Sequence, residues 1–199
     1  MRKYNKGKVL PIYCTEGGFP GVLGTEQVYR SQAQRMVREA IILKGEGVRV
    51  FLPFYGIDYD RSQFGFLFNL ELEPNPWATT RVSPKPTVNA IAACAQLLEG
   101  AVPTGRIQAL GDDVWAYSFE KPGTTGGTAI TTTTAVWTTG PPRMVSLPEA
   151  TVGGAGIGVG VVTVVDIMGH ASKQSVVQGQ VSVEIDGSPK YVVVDRAKR

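Results

Sequence analysis

The sequence predicts an α/β region followed by an all-β region, meeting near residue 103. Three observations carry that expectation. Short apolar runs alternate with helix-period segments before residue 103, the pattern of βα units and a parallel sheet. Beyond it the hydrophobic period changes from about 3.6 to about 2, and turn residues recur between short β-branched segments. Hydrophobic residues make up 43% of the 199 and charged residues 19%, a balance that fits a buried core and excludes disorder.

The run from Val9 to Thr15 is apolar with β-branched members and is closed by Gly17-Gly18, so it reads as a buried strand. Thr25-Glu26-Gln27 is a cap-like helix start with acid in the first turn. Tyr29, Ala33, Met36, Ala40 and Leu43 then recur at spacings of 4, 3, 4 and 3, which makes one helical face apolar. Gly45 and Gly47 end that helix, and Val48 to Tyr55 makes a second buried strand. Ser83-Pro84 predicts the next helix start, because proline in a first turn lacks only an N–H that would be unpaired anyway. Val88, Ile91, Ala92, Ala95 and Leu98 mark its expected inner face, and Gly100 closes it. Two such units are a quarter of an eight-stranded barrel.

In the second half, Val114–Phe119 alternates, as do parts of 128–137, 159–167, 181–185 and 191–194. Pro122-Gly123, Gly140-Pro141-Pro142 and Asp186-Gly187-Ser188-Pro189 punctuate them. Short strands so spaced predict an antiparallel β-sandwich domain over residues 104–199, following an α/β domain over 1–103. No repeat of roughly 20–50 residues is visible.

Composition narrows the function classes. Seven of the 20 Lys and Arg residues sit at the two ends (Arg2, Lys3, Lys6, Lys8, Arg196, Lys198, Arg199), leaving 13 basic against 16 acidic groups over residues 9–194. That body is mildly acidic and lacks the basic stripe of a nucleic-acid binder. No stretch approaches the roughly 20 apolar residues of a membrane helix. Cys14 and Cys94 are eighty residues apart, and His170 is the single histidine, so neither a zinc spacing nor a histidine triad can be built; no cofactor and no metal are expected. The opening MRKYNKGKVLPIY is basic but has no signal-peptide apolar core, so an extracellular location is expected only as part of a larger secreted enzyme.

The segment Leu10-Pro11-Ile12-Tyr13-Cys14-Thr15-Glu16-Gly17-Gly18-Phe19 carries the chemistry best. Glu16 stands at the C-terminal tip of a predicted parallel strand, where βα barrels place catalytic groups, and two glycines let a ligand approach the backbone. From position alone it equally reads as a turn carboxylate in solvent. Here the run PIYCTEGG resembles the seventh-strand segment of clan A retaining glycoside hydrolases, an apolar strand ending in Thr-Glu. The likeness continues in order through Gln32-Ala33-Gln34-Arg35, Gly47-Val48-Arg49-Val50-Phe51, Phe64-Gly65-Phe66-Leu67 and Ser83-Pro84-Lys85-Pro86-Thr87. Val164–Gly169 and Asp186–Tyr191 resemble the accessory sandwich of family 39 and its relatives.

The resemblance implies the last two βα units of a partial (β/α)8 TIM barrel, with Glu16 as catalytic nucleophile and a carbohydrate as substrate. It also implies an aromatic floor for the sugar after the eighth strand, where Phe54 or Tyr55 serves. From their places in the loops that follow, Asp58 reads as a further substrate contact and Trp77 either as another or as loop packing. The family's acid/base Glu sits in an Asn-Glu pair after the fourth strand, and no carboxylate here matches it. A retaining mechanism needs two carboxyl groups about 5–5.5 Å apart, so the chain alone is expected to be inactive. Its expected partner is an N-terminal barrel fragment, or a second copy through self-association. The rival reading is a non-catalytic structural or carbohydrate-binding module derived from such an enzyme.

Other features read as structural. The glycine run 153–160 enters a β-branched strand and not a helix, so it is no phosphate loop. His170 reads as a surface turn residue, Thr131–Thr134 as strand residues, and Cys14 as a small barrel-interior residue on the face of Glu16.

Overall fold

The computed structural model describes residues 8, 10–21, 26–59, 63–69, 82–122, 129–149, 151–152 and 160–197. The first region holds β1 (Ile12–Gly17), α1 (Glu26–Gly45) and β2 (Val48–Pro53), with β1 and β2 parallel neighbours joined through α1. The predicted βα pattern is therefore present. Gly47 takes φ 84° in the turn between α1 and β2, a conformation that glycine adopts without strain. Tyr29, Ala33 and Met36 are buried along α1 as the spacing predicts, but so are Gln32, Val37 and Ile41. The helix is covered on two sides: Met36 lies against Gly18, whereas Val37 and Ile41 join a cluster with Tyr117 and Trp137.

Downstream, β3 (Leu67–Asn69) and β4 (Val82–Pro84) form a short antiparallel pair, and Ile57 bridges to Leu67. α2 (Pro86–Leu98) starts two residues later than predicted: Ser83-Pro84 ends β4, Lys85 is the N-cap, and Pro86 takes the first turn. Its buried face is also rotated from the predicted one. Thr87, Ala90, Ala93, Cys94 and Leu98 are buried, while Val88 and Ile91 are half-buried and Ala92 and Ala95 exposed. This helix is apolar nearly all round, so periodicity alone does not choose its inner side.

The second region is one eight-stranded antiparallel sheet, ordered β5 (Val102–Arg106), β6 (Val114–Pro122), β7 (Ala129–Thr138), β12 (Lys190–Ala197), β9 (Val161–Val165), β10 (Ala171–Val177), β11 (Gln180–Ile185), β8 (Arg143–Pro148). The sequence predicts two packed sheets, and the structure curls a single one. β10 makes the turn, pairing with β9 through Ala171–Ser175 and with β11 through Val176 and Val177. Alternate residues then feed two cores. Tyr117, Phe119, Ala135, Trp137 and Tyr191 face α1 and α2, while Val114, Ala116, Val136, Val192 and Val194 face the enclosed side with Leu147, Val181, Val183 and Ile185. The first core is continuous across residue 103, since Ala33, Val37, Ala90 and Cys94 share it with Tyr117 and Tyr191.

Candidate functional site

The C-terminal ends of β1 and β2 come together. The Phe54 N–H donates to the Gly17 carbonyl at 2.6 Å, which sets Phe54-Tyr55 beside Glu16-Gly17. Glycine at position 17 leaves room for its neighbours: a Cβ there would lie 2.4 Å from the Phe51 ring and 2.9 Å from Glu39 Oε1, so both side chains would have to shift. The Glu16 side chain is exposed, and the Cys14 thiol donates to its backbone carbonyl at 3.4 Å. The strand register shifts between Cys14 and Gly17, so their two-residue spacing does not by itself put Cys14 and Glu16 on one face. Behind the tip, Glu39 keeps a buried Oε2 without a hydrogen-bond partner, and its burial raises the carboxyl above the ordinary range.

An aromatic surface continues from the tip. Phe54 is half-buried, with its ring centroid 4.0 Å from Tyr55 and 5.8 Å, edge-on, from Phe64. Tyr55 stacks on Tyr59 at 5.6 Å with 23° between planes, and the two are 38% and 70% exposed. Tyr55 has φ 64°, a left-handed conformation that costs a non-glycine residue about 1–3 kcal/mol.

Asp58 points inward. It is 4% exposed, accepts from Lys85 Nζ at 2.7 Å and from the Gly65 N–H at 2.8 Å, and so anchors the loop after β2 where a ligand-facing carboxylate was expected. Lys85, itself 1% exposed, also donates to the Gln63 carbonyl at 3.0 Å, and burial lowers its ammonium pKa against the pull of Asp58. That carbonyl further accepts from Gln32 Nε2 and from the Gly21 N–H. Gly65 allows the close approach, since a Cβ there would lie 2.3 Å from the Asp58 nitrogen. This polar hub escaped the sequence reading, although Gln32, Gly65 and Lys85 all lie inside the motifs that carry the resemblance. Trp77 and the glycine run 153–159 lie outside the described residues.

One face of the parallel pair is uncovered. Leu10, Tyr13 and Leu52 are 53%, 52% and 51% exposed, and Ile12 and Ile57 are exposed beside them. Among the described residues this sheet has two strands, so each has a free outer edge. Next to β2, a groove of about 310 Å³ is lined by Phe51, Arg49, Ala40, Ile91 and Ala95. The apolar residues that misled the reading of α2 thus look onto an open groove.

Larger cavities of about 640 and 490 Å³ lie along the first half of α1, the second also against the turns at 166–168 and 186–190, and neither is lined by Glu16. In the first of those turns His170 Nδ1 sits 3.0 Å from Asp166 with its ring exposed, as expected of a surface residue. Burial pushes the Asp166 carboxyl up, but hydrogen bonds from His170 and the Met168 amide hold it below its ordinary value. Among the described residues no group of three or more side chains could hold a metal ion, and no helix is long and apolar enough to cross a membrane.

No family model matches the chain, and no curated protein matches it. Among solved structures it is similar to a family 39 glycoside hydrolase from the gut symbiont Bacteroides cellulosilyticus WH2, with a TM-score of 0.66 and 19% identity. The match covers 95% of this chain and 34% of that one, so the chain spans about a third of its structural neighbour's length. At that identity the likeness concerns the fold, and it supports a glycosidase-related one.

Proposed function

We propose that the chain is the C-terminal portion of a retaining β-glycoside hydrolase of the family 39 kind. In this reading β1 and β2 are the seventh and eighth strands of a TIM barrel, and the curled sheet is its accessory sandwich domain. Glu16 is the nucleophile, and the acid/base carboxylate comes from barrel strands outside these 199 residues. One observation carries the proposal: an exposed carboxylate and an aromatic surface share the C-terminal end of a two-stranded parallel sheet whose apolar face lies open. A catalytic group at that end of a parallel strand, with the remaining wall absent, is what a partial barrel leaves visible.

The chemistry assigned to Glu16 is attack of a carboxylate oxygen on the anomeric carbon as the bond to the leaving oxygen breaks. The acid/base residue gives that oxygen its proton, and water later displaces Glu16. Phe54 and Tyr55 then lie where their rings can meet sugar C–H faces. The test pairs the chain with the polypeptide carrying the other six strands and follows hydrolysis of aryl β-glycosides. Glu16→Gln should lower turnover by about a thousandfold or more, and a slow 2-fluoro glycoside should add its mass to the peptide holding Glu16. Unchanged turnover in Glu16→Gln refutes the nucleophile assignment.

A second reading, a non-catalytic carbohydrate-binding module, is favoured by the exposure of the Tyr55–Tyr59 surface within this chain alone, 38% and 70% for the two residues. A completed assembly that binds sugar but never turns over would favour it.

A further inference from the structure

We propose that Lys85 is a positioning residue: its buried ammonium ties the segment that follows β1 to the loop that follows β2, and so fixes Glu16 relative to Phe54 and Tyr55. The inference rests on the glycosidase reading for its catalytic consequence alone, and it adds to that reading a residue that acts through others.

Departures from local preference meet at this side chain. Lys85 is the N-cap of α2 and makes no side-chain cap bond there. A cation is disfavoured at the positive end of a helix, where Ser, Thr, Asp or Asn would satisfy the free N–H groups. The ammonium is carried inward instead, to Asp58 Oδ1 at 2.7 Å and the Gln63 carbonyl at 3.0 Å, with the Phe68 ring 5.4 Å away. Gln63 has φ 53°, a left-handed conformation that strains a non-glycine residue and persists only where the surroundings over-determine it. Here they do, since its one carbonyl accepts from Lys85 Nζ, from Gln32 Nε2 at 3.1 Å and from the Gly21 N–H at 3.0 Å.

The connections run to both strand tips. On the β1 side, Gln32 Nε2 also donates to the Phe19 carbonyl at 2.9 Å, so the stretch from Phe19 to Gly21, just beyond Glu16, is held to the Gln63 carbonyl. On the β2 side, Asp58 accepts the Gly65 N–H at 2.8 Å and its own N–H donates to the Leu67 carbonyl at 3.0 Å, which pins the loop shortly after Phe54 and Tyr55. The tips touch directly as well. The Phe54 N–H donates to the Gly17 carbonyl, and a Cβ at Gly18 would lie 3.5 Å from the Phe64 ring and 3.7 Å from Phe54 Cβ. Lys85 belongs to neither tip. It reaches in from the start of α2 and braces both, and a nucleophile displaced by about 1 Å can lose on the order of a hundredfold in rate.

Amide hydrogen exchange on the 199-residue chain, followed by NMR, tests the coupling without any sugar. In Lys85→Met the Gly21 and Phe54 amides, neither of which is bonded to Lys85, should exchange about tenfold or more faster relative to the amides of β12, an inner strand of the curled sheet. The double variant Asp58→Leu/Lys85→Met leaves no unpaired buried charge, so it should fold where Lys85→Met does not, and it should show the same selective loosening. Trp137→Ala, which opens the core of the curled sheet, should not raise that ratio. With the polypeptide proposed to carry the other six strands, the double variant should lose about tenfold or more in kcat on aryl β-glycosides while KM stays within about twofold, because a displaced nucleophile weakens the transition state more than ground-state binding. Lys85 is refuted as a positioning residue if the folded double variant keeps wild-type exchange at Gly21 and Phe54, or if it keeps wild-type kcat where Glu16→Gln abolishes turnover. Normal turnover in Glu16→Gln removes the nucleophile assignment instead, and the exchange ratio then decides by itself whether Lys85 couples the two tips.

Discussion

The curled sheet and the two-stranded parallel sheet are built from similarly apolar strands, yet they meet opposite fates. In the curled sheet Trp137 and Tyr191 are 1% and 0% exposed, and alternate residues are buried on both faces. In the parallel pair Tyr13 and Leu52 are about half exposed, although Val48–Tyr55 reads from sequence as an equally buried strand. Burial of apolar area contributes roughly 25 cal/mol per Å², so the first region holds itself together and the second leaves that stabilisation unrealised. The apolar pattern of a strand therefore does not by itself say whether the strand is covered, since these two regions share it and differ in exposure.

Substitutions in the two regions can break or sharpen this contrast. The largest effect is expected from Trp137→Ala, which should cost about 3–5 kcal/mol in denaturant unfolding because it opens a cavity in the closed core. Lys85→Met should cost about 3 kcal/mol, since Asp58 would remain buried without its cation, and adding Asp58→Leu should recover part of the loss. Leu52→Asp should change the stability of the isolated chain by less than about 0.5 kcal/mol, yet it should prevent assembly with the polypeptide proposed to carry the other barrel strands, read by size-exclusion chromatography. A cost like that of Trp137→Ala would show that the open face is internal after all.

The smallest effect belongs to Glu39→Gln. Burial raises the folded carboxyl above its ordinary value, so the native state is progressively penalised as pH rises through the unfolded value and fully penalised above the folded one. Glu39→Gln should therefore raise the thermal midpoint slightly at neutral pH. The gain should disappear below about pH 4.5, where the carboxyl is protonated folded or unfolded alike. A midpoint that falls at neutral pH would mean Glu39 makes a favourable contact with the β1 tip.

Legibility in the sequence followed physics that acts locally. The βα alternation, the Gly47 turn and five strands of the curled sheet could be read because each is set by short-range period or by backbone freedom. β10 could not: Ala171–Gln174 is polar and largely exposed, and its pairing is dictated by neighbours across the fold. β8 depends in the same way on β11. The inner side of α2 was misjudged because two environments compete for an apolar helix. The buried pairing of Asp58 could not be read because its partner Lys85 lies 27 residues away. The aromatic run after β2 was visible as composition, but the stacking of Tyr55 on Tyr59 depends on a left-handed backbone that no residue type at position 55 announces.

The place of β12 carries a consequence for synthesis. This strand lies between β7 and β9, pairing with β7 from Lys190 to Ala197 and with β9 through Tyr191–Val193. A nascent chain that has not yet released those residues from the ribosome holds two half-sheets with raw, unjoined edges, and the pairs it must later close span some sixty residues. Completion of the sheet is therefore gated by entry of β12 into the gap between the two half-sheets, whose edges stay open to wrong pairing until it arrives.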